Sequence, residues 1–510
     1  MQQSYSKNYL KIYFWQLLSI ALGFLSLFWV VPYLSSEPAI YGIYSVCISV
    51  SVFLSYADLG FLSAGQKYAA EAYANRNTVK EIEFIGFSHF VLLVFVLFLS
   101  VLFLWFSFNP DVLIKNLEHG EQFQIAHKLI LILAIFAPVI VLQRMSQMIF
   151  AIRLQEYKIQ RLIILGNVLK IGSVFLFFRG GRYDIVSYFL FLQIVNLIVA
   201  IIGMILACKI YQNNIIGIIQ KIKFSKTVYN HTKSLAFSTI FITITWILYY
   251  ELDLFAIGHL LGAQQVAIYA IAFTLLSFFR SLLGVLFTPF VSRFNHFVGL
   301  GQLEELRKFF LHVVTITFPL VVFPIVAVVI FSEPLVISWV GPEFVGSVRI
   351  VQLLILCNVF AFISYPVGML LMALKEVKKM YVFNGIMPVI YWGGIYITIN
   401  VLSVESFALF KLIIFVVSAV MYTVFALKFL QMSFINIIQK FILSYIPALV
   451  VLILILLPVN DLYIDGKNKL FLFYNAALIA LSVSIAMFVS YLFSKPLRSY
   501  VNQIMIGLRK

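Results

Sequence analysis

Apolar residues in this chain gather into stretches of roughly 18 to 25, broken by short polar segments. At 1.5 Å of rise per residue, each stretch is long enough as a helix to cross the ~30 Å hydrocarbon layer of a bilayer. The pattern predicts about 14 helices, at 12–34, 40–62, 84–108, 125–152, 162–179, 185–210, 234–260, 264–290, 309–331, 346–374, 380–402, 406–430, 441–459 and 470–493. Membrane-spanning strands would show ~10-residue segments of strict alternation, and the chain has none. The expected class is therefore an all-α polytopic membrane protein.

Charge supports the count. Lys7, Lys11, Lys67, Arg76, Lys80, Arg153, Lys158, Arg161, Lys209, Lys221, Lys223, Lys226, Lys233, Arg293, Arg307, Lys308, Lys375, Lys378, Lys379, Lys428, Lys440, Lys495, Arg498, Arg509 and Lys510 all fall on one side of the predicted membrane. The alternate loops Ser35–Glu37, Gly262–Gln265 and Val404–Glu405 carry no Lys or Arg, and Asp111–Glu121 is acidic. Lys115, Arg179, Arg182, Arg349, Lys467 and Lys469 are the exceptions on that side. The positive-inside rule then puts both termini in the cytoplasm, which requires an even number of spans.

Composition agrees. The 510 residues are 63% hydrophobic and only 11% charged, against about a quarter charged in soluble domains. The net charge of +16 is accounted for by topology and implies no nucleic-acid partner. Cys47, Cys208 and Cys357 stand alone in apolar segments and suggest neither metal nor disulfide chemistry. No small-residue cleavage site follows the first apolar run, so that span reads as retained. The longest polar stretch, Tyr211–Lys233, suggests an N-terminal six-helix bundle at 1–212, a cytoplasmic linker at 213–233, a second six-helix bundle at 234–432 and an extra helix pair at 441–494.

The bundles look related. Gly42-Ile43-Tyr44 opens the second span of the first bundle, and Ala267-Ile268-Tyr269 opens the second span of the other. Parallel repeats are a common transporter design. The segment Ser55-Tyr56-Ala57-Asp58-Leu59-Gly60-Phe61 after Tyr41-Gly42-Ile43-Tyr44, with Asp253 through Tyr269, resembles the signature of the polysaccharide transporter (Wzx-type O-antigen or capsule repeat-unit flippase) family, within the MATE-like MOP flippase superfamily. That resemblance implies a V-shaped pair of bundles and a cargo of oligosaccharide on undecaprenyl pyrophosphate. It implies movement from the cytoplasmic to the periplasmic leaflet of the inner membrane, by alternating access, with H+ or Na+ coupling as an option. Membrane lipids and polysaccharide polymerase or chain-length proteins are the implied partners, and no cofactor is implied. The terminal pair departs from the twelve-span pattern of many members and is reminiscent of lipid II flippases.

Charges at mid-bilayer cost roughly 2.5–3.5 kcal/mol even on lenient scales, so each needs a reason. Arg144, with Gln147 one turn away, suits a diphosphate, although snorkelling to the interface is the open alternative. Lys170 lies deep in the fifth span near Asn167, as a cavity residue or a partner of a carboxylate on another helix. Arg280 lies inside the eighth span, and the repeat sets it about one turn from the counterpart of Asp58. The helices carrying Asp58 and Arg280 continue amphipathically toward Tyr73 and Phe297. In the seventh span Thr239, Thr243, Trp246, Tyr250 and Asp253 follow a three-to-four spacing, which would turn Asp253 to a cavity and Glu251 into apolar packing. Arg144, Lys170, Arg280, Gln147, Trp246 and Tyr250 are thus the substrate-binding candidates. Asp58, Glu251 and Asp253 are the ion-coupling candidates.

Two other functions compete with the flippase. A MATE-like exporter of small cationic or aromatic compounds predicts an acid-dominated cavity. A membrane glycan polymerase or ligase predicts catalytic residues on a large outer loop, whereas the outer loops here are short. His119, His127, His231, His259, His296 and His312 form no cluster, and no phosphate-binding Gly-rich loop or metal-ligand spacing occurs. The sequence therefore points to a transporter, with no catalytic or metal-binding residues.

Overall fold

A computed structural model describes residues 2–117, 120–210, 217, 219–374, 376–433, 443–460 and 467–499. The predicted topology charges Lys375, Lys440, Arg509 and Lys510, together with His119, lie outside these residues, as do parts of the 213–233 linker and of the 441–494 pair. Helices dominate, and no strand occurs among the described residues.

In chain order the helices are α1 (Gln2–Leu34), α2 (Pro38–Ser55), α3 (Phe61–Ala74), α4 (Thr78–Phe108), α5 (Glu121–Phe136), α6 (Val139–Ile152), α7 (Tyr157–Phe177), α8 (Ile185–Ile210), α9 (Lys226–Trp246) and α10 (Asp253–Leu261). They are followed by α11 (Ala263–Phe287), α12 (Val291–Gly299), α13 (Leu303–Ile330), α14 (Ser332–Val340), α15 (Ser347–Leu356), α16 (Ala361–Ala373), α17 (Val377–Leu402), α18 (Glu405–Phe429), α19 (Ile446–Asn460) and α20 (Lys469–Phe493). Among the described residues ten helices are long and apolar enough to cross a membrane, or up to 13 if each of three bent helix pairs is one span. With the shorter apolar helix Leu443–Pro458, every one of the 14 predicted windows is matched by a helix or a bent pair. The protein is an all-α polytopic membrane protein.

The chain forms two compact units, Met1–Ala267 and Ile268–Lys510. The first includes α9 and α10, which a division at the long polar stretch would assign to the second bundle.

The same irregularities recur at the same steps of the two halves. The fourth span, α5–α6, bends by 44°, and the tenth, α15–α16, by 45°. In each half the second span is interrupted and then continues as a short helix: α2 gives way to α3, and α11 passes through a 3-10 turn at Thr288–Phe290 into α12. The continuations reach Ala74 and Gly299, as the amphipathic pattern predicts.

The first interruption explains the Asp58-Leu59-Gly60 segment. Leu59 (φ 47°) and Gly60 (φ 75°) are left-handed, a conformation that ends α2 and that Gly adopts at little cost. The Asp58 carboxylate accepts a hydrogen bond from Leu62 N (3.2 Å), satisfying a donor exposed at the start of α3. Gly60 also lies against α9, where a Cβ would collide with Thr239 Oγ1. Gly42 makes a similar close approach to the Ala263 carbonyl within the same unit.

The ends of the first unit are chemically distinct. One end gathers the predicted basic side: Arg153 pairs with Glu81 at 2.7 Å, Lys221 with Glu83 at 2.8 Å, Arg161 lies over Trp15, and Lys11 over Tyr157. The Arg153–Glu81 pair is buried, so Arg153 does more than mark topology. Elsewhere in the unit, loops predicted for the opposite side meet. Lys115 N donates to Gly258 O at 2.9 Å, Lys115 Nζ to Leu260 O at 3.1 Å, and His259 Nδ1 lies 2.8 Å from Val112 O.

In the second unit the terminal pair is bonded into the bundle. Tyr445 donates to Thr315 O at 2.7 Å and stacks on Phe318. Asn475 of α20, fully enclosed, donates to Pro334 O (3.2 Å) and Ser338 Oγ (3.1 Å). Amide and hydroxyl side chains make such inter-helix bonds where lipid offers no partner.

Candidate functional site

Helix α6 carries two faces. Met145, Met148, Ile149 and Ile152 pack with Ala69 of α3, Ile85 of α4, Ile159 of α7 and Ala207 of α8. At i, i+3 and i+7 on another face stand Arg144, Gln147 and Ala151, which line a cavity of about 250 Å³ with Leu62 and Gln66 of α3, Glu156, and Gln160 of α7. The apolar face thus fixes the rotation of α6 and with it the aim of Arg144. A second cavity, about 160 Å³, adjoins at Gln147 and Ile159 and holds Gln143, Ser146, Asn167, Lys170 and Asn196. Both cavities lie within the first unit.

The Arg144 guanidinium is half-buried and makes no hydrogen bond or ion pair among the described residues, although its charge acts on the nearby Asp58 carboxylate. Five N–H donors facing a cavity are suited to a planar or tetrahedral anion. Among the described residues Lys170 makes no ion pair with the carboxylate that a buried pair would need. Its Nζ donates to Asn196 Oδ1 at 2.6 Å. Asn196 in turn donates to Gln193 Oε1 at 3.3 Å, and its backbone carbonyl accepts from Gln143 Nε2 at 3.3 Å. An ammonium on a neutral amide keeps donors to spare.

The sequence pointed to Arg144, Gln147 and Lys170, and the structure sets these three along two adjoining cavities. It adds Gln66, Gln143, Glu156, Gln160 and Asn196. An available signal was the recurrence of uncharged amides inside or beside apolar windows, with Gln143 and Gln147 one turn apart and Gln193 and Asn196 likewise.

The other candidates sit elsewhere. Arg280 lies on α11 in the second unit, half-buried, with its charge acting on Tyr365 of α16. Asp58 caps α3, as described. The seventh span departs from the expected stripe, because Ile247–Glu251 forms a π-helical turn. The wider turn brings residues five apart together, so Glu251 Oε1 accepts from Trp246 Nε1 (3.2 Å) and from Tyr56 OH of the α2–α3 turn (3.0 Å). Glu251 is therefore half-exposed and hydrogen-bonded, while Asp253 is fully enclosed, the reverse of what regular α geometry predicts. Trp246 and Tyr250 stack on each other at 4.3 Å, and Tyr250 is buried, so no sugar ring reaches its faces in this conformation.

Lys411 was not among the sequence candidates. It lies in α18, fully buried, over the rings of Phe273 (5.3 Å) and Tyr391 (5.7 Å) in the second unit. No group of three or more metal-ligating side chains occurs among the described residues.

No protein-family profile and no curated protein matches the chain by sequence. Solved structures match it closely in fold. The inward closed conformation of the lipid II flippase MurJ aligns with a TM-score of 0.66 at 15% identity, covering 95% of this chain and 98% of that one. The chain has the fold of the MOP superfamily. An inward-facing multidrug resistance MATE family transporter of that superfamily aligns at a TM-score of 0.61 and 15% identity, over 81% of this chain and 94% of that one. A MOP superfamily transporter from Pyrococcus furiosus, described by the reverse polarity of its binding pocket, aligns at 0.55 and 13% identity, over 84% and 96%.

Proposed function

We propose that this protein is a flippase that carries an oligosaccharide linked to undecaprenyl pyrophosphate across a bacterial-type inner membrane. The observation that carries the proposal is Arg144, a guanidinium with no hydrogen-bonding partner among the described residues, facing a cavity joined to a second one that holds Lys170. A fixed positive charge at that depth is costly unless an anion arrives to meet it. A diphosphate meets that need, and the surrounding amides suit sugar hydroxyls. The likeness in fold to a lipid II flippase supports a lipid-linked cargo. The likeness in fold to MATE transporters supports alternating access, and the bends of 44° and 45° at the same step of each half support a repeated design. An exporter of cationic compounds would want carboxylates where Arg144 and Lys170 stand.

In this reading both termini are cytoplasmic, and the basic end of the first unit faces the cytoplasm. Arg280 is a further cationic substrate contact within the second unit, Trp246 and Tyr250 act in a conformation that opens their rings, and Asp58, Glu251 and Asp253 are where H+ or Na+ would couple. Depletion of the protein tests the function. Lipid-linked precursor should accumulate on the inner leaflet while surface polysaccharide falls. Intact surface polysaccharide with no accumulated precursor would end the proposal.

A further inference from the structure

Two charged side chains line the larger cavity, Arg144 and Glu156, and its other lining residues are neutral. The two share the space without pairing, since neither makes an ion pair among the described residues. An anion seated on Arg144 within about 250 Å³ therefore stands close to a carboxyl group. Like charges in a partly desolvated space disfavour each other's ionisation. The inexpensive relief is a proton on the carboxylate.

We propose that Glu156 links the anion site to protons: it takes up one proton from solvent when an anionic group settles on Arg144, and releases it when the anion leaves. The step balances as carboxylate plus proton plus incoming anion giving neutral carboxyl plus bound anion. By reciprocity, acid strengthens anion binding and a bound anion strengthens proton binding. This rests on the reading of the Arg144 cavity as the headgroup site.

Glu156 is the carboxyl group in the cavity lining itself, and Asp58, on which the Arg144 charge also acts, lies outside that lining. On α6, Arg153 is committed to Glu81 of α4. On α7, Lys158 donates to Gln155 at 2.7 Å and Arg161 lies over Trp15 and Tyr157. On α3, Lys67 lies over Tyr68, and in the preceding turn Asp58 is held by Leu62 N. Glu156 sits just before α7, outside the spans, and burial holds its carboxyl above the usual carboxylate range.

The test uses the full-length protein in lipid nanodiscs, with undecaprenyl diphosphate as the probe, titrated calorimetrically across pH and in two buffers of different ionisation enthalpy. The ratio of Glu156→Gln to wild-type affinity cancels the titration of the probe itself. That ratio should be near one in acid and rise to about tenfold in favour of Glu156→Gln at alkaline pH. Wild type should also take up more protons per anion bound than Glu156→Gln, by up to one. Glu156→Asp should restore the linkage, a result that a merely structural role would not give. A ratio independent of pH, with equal proton uptake in both proteins, overturns the proposal and leaves the anion site standing. If the probe fails to bind, or binds equally well to Arg144→Gln, the headgroup reading falls and the linkage with it.

Discussion

Lys170 in the first unit and Lys411 in the second are lysines inside predicted spans, and the protein treats them differently. Lys170 lines a cavity, held by the Asn196 amide oxygen and surrounded by Gln143, Ser146 and Asn167. Lys411 is fully enclosed and lies over two aromatic rings. The first lines an open volume where a ligand can reach its spare donors, and the second is closed off from any such volume. A charge within a span is thus not by itself a sign of a site. What distinguishes the two is whether open volume adjoins the charge.

The sharpest way to break this contrast is substitution at Arg144, the other cation of the cavities. Arg144→Ala should lower export roughly tenfold to hundredfold, the worth of one or two charge-assisted hydrogen bonds, with membrane abundance unchanged. Normal export by that variant would remove the main support for an anion site. Lys411→Ala should act on stability instead, costing about 2–5 kcal/mol through the space it leaves in a packed core, read as a drop in melting temperature and abundance. Lys411→Met keeps the volume and should lose less stability than Lys411→Ala, with export per folded molecule retained, whereas Lys170→Met should fold but export poorly. Equal export by the two Met variants would erase the distinction. Gly60→Ala should cost about 1–2 kcal/mol from the left-handed backbone alone, with the clash at Thr239 added, read as a lower melting temperature. Asn196→Leu removes the hold on Lys170 and should cost about 1–3 kcal/mol, with export reduced less than in Lys170→Met. The smallest effect expected is that of Tyr445→Phe, about 1 kcal/mol for the lost bond to Thr315, with export unaffected.

Much of the fold could be read from the chain because a bilayer imposes a length. Each of the 14 windows needed only enough apolar residues in succession, a local property. The pair Arg144 and Gln147 was legible for the same reason, since a three-residue step on one helix fixes a shared face. Asn196 as the partner of Lys170 was not legible, because the bond joins two helices and depends on how α7 packs on α8. Nor were Gln66, Glu156 and Gln160, which reach one cavity from α3 and from the start of α7. The roles of Glu251 and Asp253 were inverted by five residues of π-helix, a local departure from the 3.6-residue period that apolar patterning does not encode.

By itself, then, the sequence determined that this is a membrane protein of all-α class, where its apolar helical windows lie and which cations fall inside those windows. These follow from hydropathy and charge counted along one dimension, against a solvent of known thickness. Only the tertiary structure decided which of those cations meets a cavity. It alone placed the bends of the fourth and tenth spans, made the Asp58-Leu59-Gly60 segment a helix break closed against α9, and set Glu156 beside the site of Arg144. Those outcomes depend on contacts between helices far apart in sequence, where packing and hydrogen bonding overrule the local period.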